Sequence, residues 1–354
     1  MSKADEIFIN MCRDILENGT STEGAEVRPH WPDGTPAYTV KKFGVVNRYD
    51  LREEFPAVTL RKTFIKSAMD ELLWIWQKKS NNVHDLKSHV WDEWADEKGS
   101  IGKAYGYQLG KYNRVSGVTE EGLKKAFGVK EQCAIDNGDW DSIYYLPDGA
   151  LAKVERLQSE GKEFEAMDFL HKAAYALCQR EKEDGKETWS MDQVDKVIYD
   201  LKNTPFSRRI MTTIWNPADL VDMNLEPCAY SMTFNVTQEK GSDQLVLNSI
   251  LNQRSQDILA ANAWNVAQYA LLTMMLAQVC GMQAGEFVHV IADAHIYDRH
   301  IPLVKELIAR DPKPAPKVWL NPDVKDFYEF TTDDLHIEDY EVGGPQITNI
   351  PIAI

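Results

Sequence analysis

Hydrophobic positions recur at helical spacing in three places along the chain. Ile7, Phe8, Met11, Cys12 and Ile15 mark one face of a helix over residues 4–18. Residues 63–78 gather Phe64, Ile65, Ala68, Leu72, Leu73, Ile75 and Trp76 on one side, which predicts a second. A longer and more uniformly apolar helix spans about 263–280, with Gly281 as its stop signal. Pro302 opens a short further helix, Leu303 to Ala309. Strand patterns lie between these segments. Residues 38–49 and 210–215 read as strands, and Phe287 to Ala292 as another. Tyr230, Met232, Phe234 and Val236 alternate with Ser231, Thr233 and Asn235, the period of a half-buried strand. The turn residues 239–243 then lead into Leu245, Leu247, Ser249 and Leu251, so the two runs form an antiparallel hairpin. The expected fold class is α+β: a mostly antiparallel or mixed twisted sheet with helices packed on it.

Residues 115–192 differ in character. Charged stretches such as EEGLKKAFGVKEQ and QREKEDGKE dominate, broken at Asn137-Gly138 and Pro147-Asp148-Gly149. Two or three short helices fit them. The segment therefore reads as a small helical subdomain inserted into a catalytic domain covering 1–354, an addition that surface loops tolerate well.

Composition narrows the function classes. The chain has 354 residues, 44% hydrophobic, and a net charge of −16. It carries no Lys or Arg run, which argues against nucleic acid or an anionic membrane as its main partner. The apolar 263–280 helix is interrupted by Asn265, Gln268, Thr273 and Gln278, the pattern of a buried helix rather than a membrane span. Residues 1–10 have no signal-peptide core. The five cysteines are widely spaced, with no CxxC pair and no zinc-like cluster. Free thiols in a reducing cytoplasm, and no metal, are the expectation.

Candidate chemistry centres on Cys228, which follows Pro227 at the entrance of a strand. A thiol there can face a cleft, although a buried structural cysteine fits the same position. Arg28, Arg208, Arg209 and Arg254 are forks suited to a phosphate, and their charge would favour a nearby thiolate. Each is also an ordinary surface salt-bridge residue in an acidic protein. Asn265, in the first turn of its helix, offers a donor and an acceptor that could match the O4 and N3–H edge of uracil. Glu71 lies within a very apolar helix, which suggests a raised pKa and an acid/base role. His295 and Tyr297 share a face after an apolar strand, and Trp91 and Trp94 could wall a flat ligand or simply fill the core.

Nine segments in collinear order carry a resemblance: ELLWIW, HVWDEWAD, AYGYQ, SRRIMTTIWNP, EPCAY, NQRSQD, NVAQYALL, DAHIYDRH and the terminal IPIAI. With them the chain resembles bacterial folate-dependent thymidylate synthases over nearly its whole length, apart from the 115–192 insertion. The resemblance implies reductive methylation of dUMP to dTMP, with 5,10-methylenetetrahydrofolate as co-substrate. It implies Cys228 as the nucleophile, and Arg28, Arg254 and Ser255 on the phosphate of dUMP. Arg208 and Arg209 would reach across from the other subunit of a homodimer. Asn265 would read the uracil edge and His295 and Tyr297 the sugar, with Gln253 and Asn216 in the polar network. Glu71 and Tyr105 would serve proton transfers. Trp91, Trp94, Asp257 and the Ile354 carboxylate would meet or enclose the folate. The family's pattern is broken at Ala229, Ala261 and Trp264. The latter two leave open a dUMP hydroxymethylase, and a non-catalytic nucleotide-binding homologue is a third reading.

Overall fold

The computed structural model describes residues 1–127, 131–136, 141–146, 150–173, 175–183 and 186–354. The described chain divides into two units, Met1–Gln108 with Thr213–Ile354, and Leu109–Thr212.

In the first unit the helix α1 covers Lys3–Asn18. Ser2 caps it: its hydroxyl accepts the Asp5 N–H at 3.0 Å and donates to the Asp5 carboxylate at 2.8 Å. Asp5 is fully buried because Thr59 also serves it, through its N–H at 2.7 Å and its hydroxyl at 2.5 Å. The Phe8, Ile9, Cys12 and Ile15 face of α1 is buried. Strand β1 (Thr39–Asp50) precedes α2 (Ile65–Trp76). Every residue of α2 from Ala68 to Trp76 is buried, so polar Asp70 and Glu71 are enclosed with the rest.

After the second unit come β2 (Ala229–Gln238), β3 (Leu245–Gln253), β4 (Gln256–Asp257), α3 (Asn262–Val279), β5 (Gln283–Tyr297) and α4 (Ile301–Leu307). The order across the sheet is β1-β5-β3-β2, with the two-residue strand Thr20–Ser21 outside β1. β5 runs antiparallel to β1 and parallel to β3 and β4, while β2 and β3 form the expected antiparallel hairpin. The sheet is therefore mixed. Helix α3 is buried nearly all round, and Gly281 beyond its end takes a φ of 66°, the left-handed value that glycine adopts without strain. No described helix is long and apolar enough to cross a membrane.

The second unit has its own core of Val118, Leu123, Ala126, Trp189, Met191 and Tyr199. It differs from the purely helical expectation for 115–192. Helices occupy Glu120–Phe127, Ala150–Ser159, Glu163–Ala173 and Gln193–Asn203. Between them lies an antiparallel sheet of Asn113–Val115, Lys186–Met191, Tyr175–Glu183, Asp141–Leu146 and Glu131–Asp136, in that order. These strands are short and densely charged, so their alternation is weak against the helical spacing beside them. The breaks expected at Asn137-Gly138 and Pro147–Gly149 lie outside the described residues.

Candidate active site

A bulge positions the cysteine. The β2–β3 register slips between Asn252 and Gln253, so Gln253 stands opposite Ala229 at the mouth of the hairpin. Cys228, one residue earlier, is half-buried, and its carbonyl accepts the Arg254 N–H at 2.9 Å. The Arg254 side chain folds over the same turn. Nε donates to the Pro227 carbonyl at 3.0 Å and Nη2 to that of Glu226 at 2.8 Å. Two of its five N–H donors are thus spent on the backbone, and the rest of the fork remains for an anion. Burial pushes the Cys228 thiol up, while the positive charges of Arg254 and Arg28 pull it down without winning. The thiol is therefore neutral at rest, contrary to the thiolate that its basic company suggested.

Tyr105 faces the same turn. Its hydroxyl oxygen accepts the Cys228 N–H at 3.2 Å, and its backbone sits at a φ of 45°, a strained value for a bulky residue. Burial raises its pKa well above normal, so it is a neutral phenol. Its ring meets Trp91 edge-on at 4.8 Å, and Trp91 meets Trp94 in the same manner at 5.8 Å. Trp91 in turn donates its indole N–H to Glu71 Oε1 at 3.0 Å, and Trp264 donates to Oε2 at 2.6 Å. Burial raises the Glu71 pKa, and the donors Trp91, Trp264 and Gln268 oppose the rise.

Asn265 lies in the first turn of α3. Its Oδ1 accepts from Gln253 Nε2 at 3.4 Å and from Gln256 Nε2 at 3.3 Å. Gln253 is itself fixed from behind, because buried His289 donates through Nε2 to its Oε1. Burial drives the His289 pKa down to about 3, which keeps that ring neutral. These contacts aim Asn265 Nδ2 away from the two glutamines. Bonds of this length also leave Oδ1 able to accept another donor.

At the far end of β5, His295 pairs through Nδ1 with Asp293 at 2.9 Å and meets the Tyr297 ring at 5.0 Å. Burial pushes Tyr297 up to about 12. Asp257 lies beside His295 in the β4–β5 register. Burial raises the Asp257 pKa, but His300, 3.5 Å away, and the Ala260 N–H more than offset it. The same pairing raises His300, whose Nε2 donates to the Pro351 carbonyl at 2.8 Å. His30 and Ile354 exchange two backbone hydrogen bonds, at 2.8 and 3.0 Å, which tie the chain's last residue beside Arg28 and Trp31.

Most of the expected residues are thus connected within the first unit: Cys228, Arg254, Arg28, Tyr105, Glu71, Trp91, Trp94, Gln253, Asn265, Asp257, His295, Tyr297 and Ile354. Ser255 is half-buried between Arg254 and β4. Asn216 joins a separate network, donating to Asp219 at 2.8 Å and Gln108 at 3.3 Å. Arg208 and Arg209 are exposed residues of the second unit. The sequence reading overlooked Gln256, His289, His300 and Tyr269. Tyr269 alone had a signal, its i+4 spacing from Asn265 on one helix; burial beside Glu71 and Cys228 keeps it a neutral phenol. The sequence marks Trp264 only as a break in the family's pattern, not as a partner of Glu71.

A cysteine, a carboxylate bonded by two indoles and an amide fixed by two glutamines are groups suited to group transfer, and the family comparison gives the class, a methyltransferase. The chain belongs to the thymidylate synthase family, whose model, described as "Thymidylate synthase", matches residues 6–353. A thymidylate synthase of Bacillus subtilis subsp. natto is 35% identical over 99% of this chain and 100% of that protein. One of Bacillus licheniformis is 36% identical over 97% of each. The solved structure titled thermostable thymidylate synthase A from Bacillus subtilis matches with a TM-score of 0.71 and 33% identity, covering 99% of both chains. The family's reaction is the reductive methylation of dUMP to dTMP, with 5,10-methylenetetrahydrofolate as co-substrate.

Proposed function

We propose that the chain performs this reaction through a covalent bond from Cys228 sulfur to C6 of dUMP. The observation that carries the reading is the Glu226–Cys228 turn. One side chain, Arg254, clasps it while keeping guanidinium donors for a phosphate, and Asn265 stands in the same bonded set. C5 of uracil is a weak nucleophile. Addition of sulfur at C6 places an enolate on O4, and a donor aimed there stabilises it. Asn265 Nδ2 is that donor in this reading. The neutral thiol gives up its proton to solvent before sulfur bonds to C6, and Arg254 and Arg28 favour the thiolate that forms.

The enolate then attacks the methylene group of the folate. Loss of the C5 proton passes by way of Tyr105, a neutral phenol and so a relay rather than a standing base. Glu71 supplies and receives protons through its free lone pairs. Expulsion of the folate leaves an exocyclic methylene; a hydride from the same folate, which becomes dihydrofolate, converts it to the methyl group, and cleavage of the Cys228 sulfur–C6 bond restores the C5–C6 double bond and releases dTMP. Trp91 and Trp94 stack against the folate beside Asp257, and the tail at Ile354 closes over it to exclude water. Arg28, Arg254 and Ser255 take the phosphate, with Arg208 and Arg209 from the second subunit of a homodimer, and His295 and Tyr297 take the sugar. The setting is cytoplasmic.

The test combines purified protein with dUMP and 5,10-methylenetetrahydrofolate. Dihydrofolate absorbance should rise, mass spectrometry should find dTMP, and Cys228→Ala should abolish both while still binding dUMP. A hydroxymethyl product, or turnover that survives Cys228→Ala, refutes the reading.

A further inference from the structure

Glu71 is a buried carboxylate held by donors from two directions. Trp91 reaches Oε1 from the segment after α2, and Trp264 reaches Oε2 from the first turn of α3 at 2.6 Å, the shorter of the two bonds. An indole N–H is a donor only, so it cannot accept the proton that Glu71 releases. A phenylalanine of similar bulk would fill the space and offer no bond. We propose that Trp264 is a positioning residue that fixes the plane of the Glu71 carboxyl group. This rests on the reading of Glu71 as the proton-transfer group.

The geometry has two effects. With one indole on each oxygen and Gln268 as a further donor, a proton arriving at Glu71 must occupy a remaining lone pair, so the direction of proton delivery is set; the titratable groups facing it, Tyr105 and Tyr269, are both held neutral by burial. Trp264 also precedes Asn265 directly in α3, so the carboxyl group and the amide aimed at the pyrimidine share one anchor. Burial works against the ionised state here, and the indole donors work for it. Removing one donor should shift the balance toward the acid.

The experiment uses the full chain labelled with 15N-indole tryptophan. The Trp264 Nε1–H resonance is assigned in the wild-type protein through its NOE contacts to its own neighbours in α3. It should titrate with Glu71 in the wild-type protein and lose that titration in Glu71→Gln. In Trp264→Phe, the limb of the kcat/KM profile that reports Glu71 should move to higher pH by about one to two units, the size of a charge-assisted hydrogen bond. A Trp264 resonance indifferent to both pH and Glu71→Gln would overturn the proposal, as would an unmoved profile in a folded Trp264→Phe. The resonance needs no turnover. It therefore decides the matter if Trp264→Phe does not fold, and a protein that failed to methylate dUMP would fail a different test.

Discussion

Replacing Gln256 with leucine should weaken the preference for dUMP over dCMP. Uracil presents an acceptor at O4 where cytosine presents an N4 amino donor. The discrimination depends on which end of the Asn265 amide faces that position. Two donors onto Oδ1, from Gln253 at 3.4 Å and Gln256 at 3.3 Å, turn Nδ2 away from the glutamines, and in the proposed reading toward that position. Turning the amide over would set Nδ2 against both donors and forfeit both bonds. Neutral bonds this long belong at the low end of the usual range, about 0.5–1 kcal/mol each. Gln256→Leu leaves only the Gln253 bond, so the ratio of kcat/KM for dUMP over dCMP should fall about two- to fivefold. The fold should tolerate the change, because Gln256 Oε1 is a buried acceptor with no partner and its removal relieves that cost. The assay measures both nucleotides on a variant checked by its thermal transition. An unchanged ratio in a folded Gln256→Leu would show that Gln256 does not set the amide's orientation.

Arg254→Ala should raise the dUMP dissociation constant about ten- to a hundredfold, as expected for a lost charge-assisted contact. Calorimetry decides it, and an unaltered constant removes Arg254 from the phosphate site. The His300–Asp257 pair has an opposite sign for each partner. His300 is raised, so its contribution is complete below its ordinary value near 6.5 and fades as pH rises through the raised one. Asp257 is lowered, so its contribution holds above its ordinary value and fades in acid. Because His300 also grips Pro351, carboxypeptidase should trim the C-terminus faster as pH rises through the His300 titration. A trimming rate that shows no such step in intact protein, after correction for the protease's own pH dependence, would refute the clamp. Asp5→Ala strands the buried Thr59 N–H and leaves the Thr59 hydroxyl only its 3.3 Å bond to the Lys313 carbonyl, and should destabilise by about 1–3 kcal/mol in denaturant unfolding. A loss below about 0.5 kcal/mol would mean that these groups find other partners.

The elements that position the site were legible because their periodicity is strong. The apolar faces of α1 and α2, the β2–β3 hairpin and the Gly281 stop all lie where the pattern puts them. Cys228, Arg254 and Asn265 could be picked out because each stands at a distinctive place: a strand entrance, a strand end, a helix's first turn. The hidden parts are contacts between distant segments. Trp264 bonds Glu71 across 193 positions, and nothing local to either residue announces it. His300 was read only as part of a longer run, yet its ring links Asp257 to the tail. The second unit's sheet escaped notice because charge obscures alternation in short strands.

β5 has a consequence for where the molecule can yield. It is hydrogen-bonded along both edges, to β1 on one side and to β3 and then β4 on the other. Opening it means breaking two ladders together, so its amides belong among the slowest to exchange. His295 and Tyr297 stand at its end and inherit that rigidity. In the proposed reading a ligand is clasped by lightly tethered pieces, such as the last residue held to His30 by two backbone bonds, against an anvil that does not move.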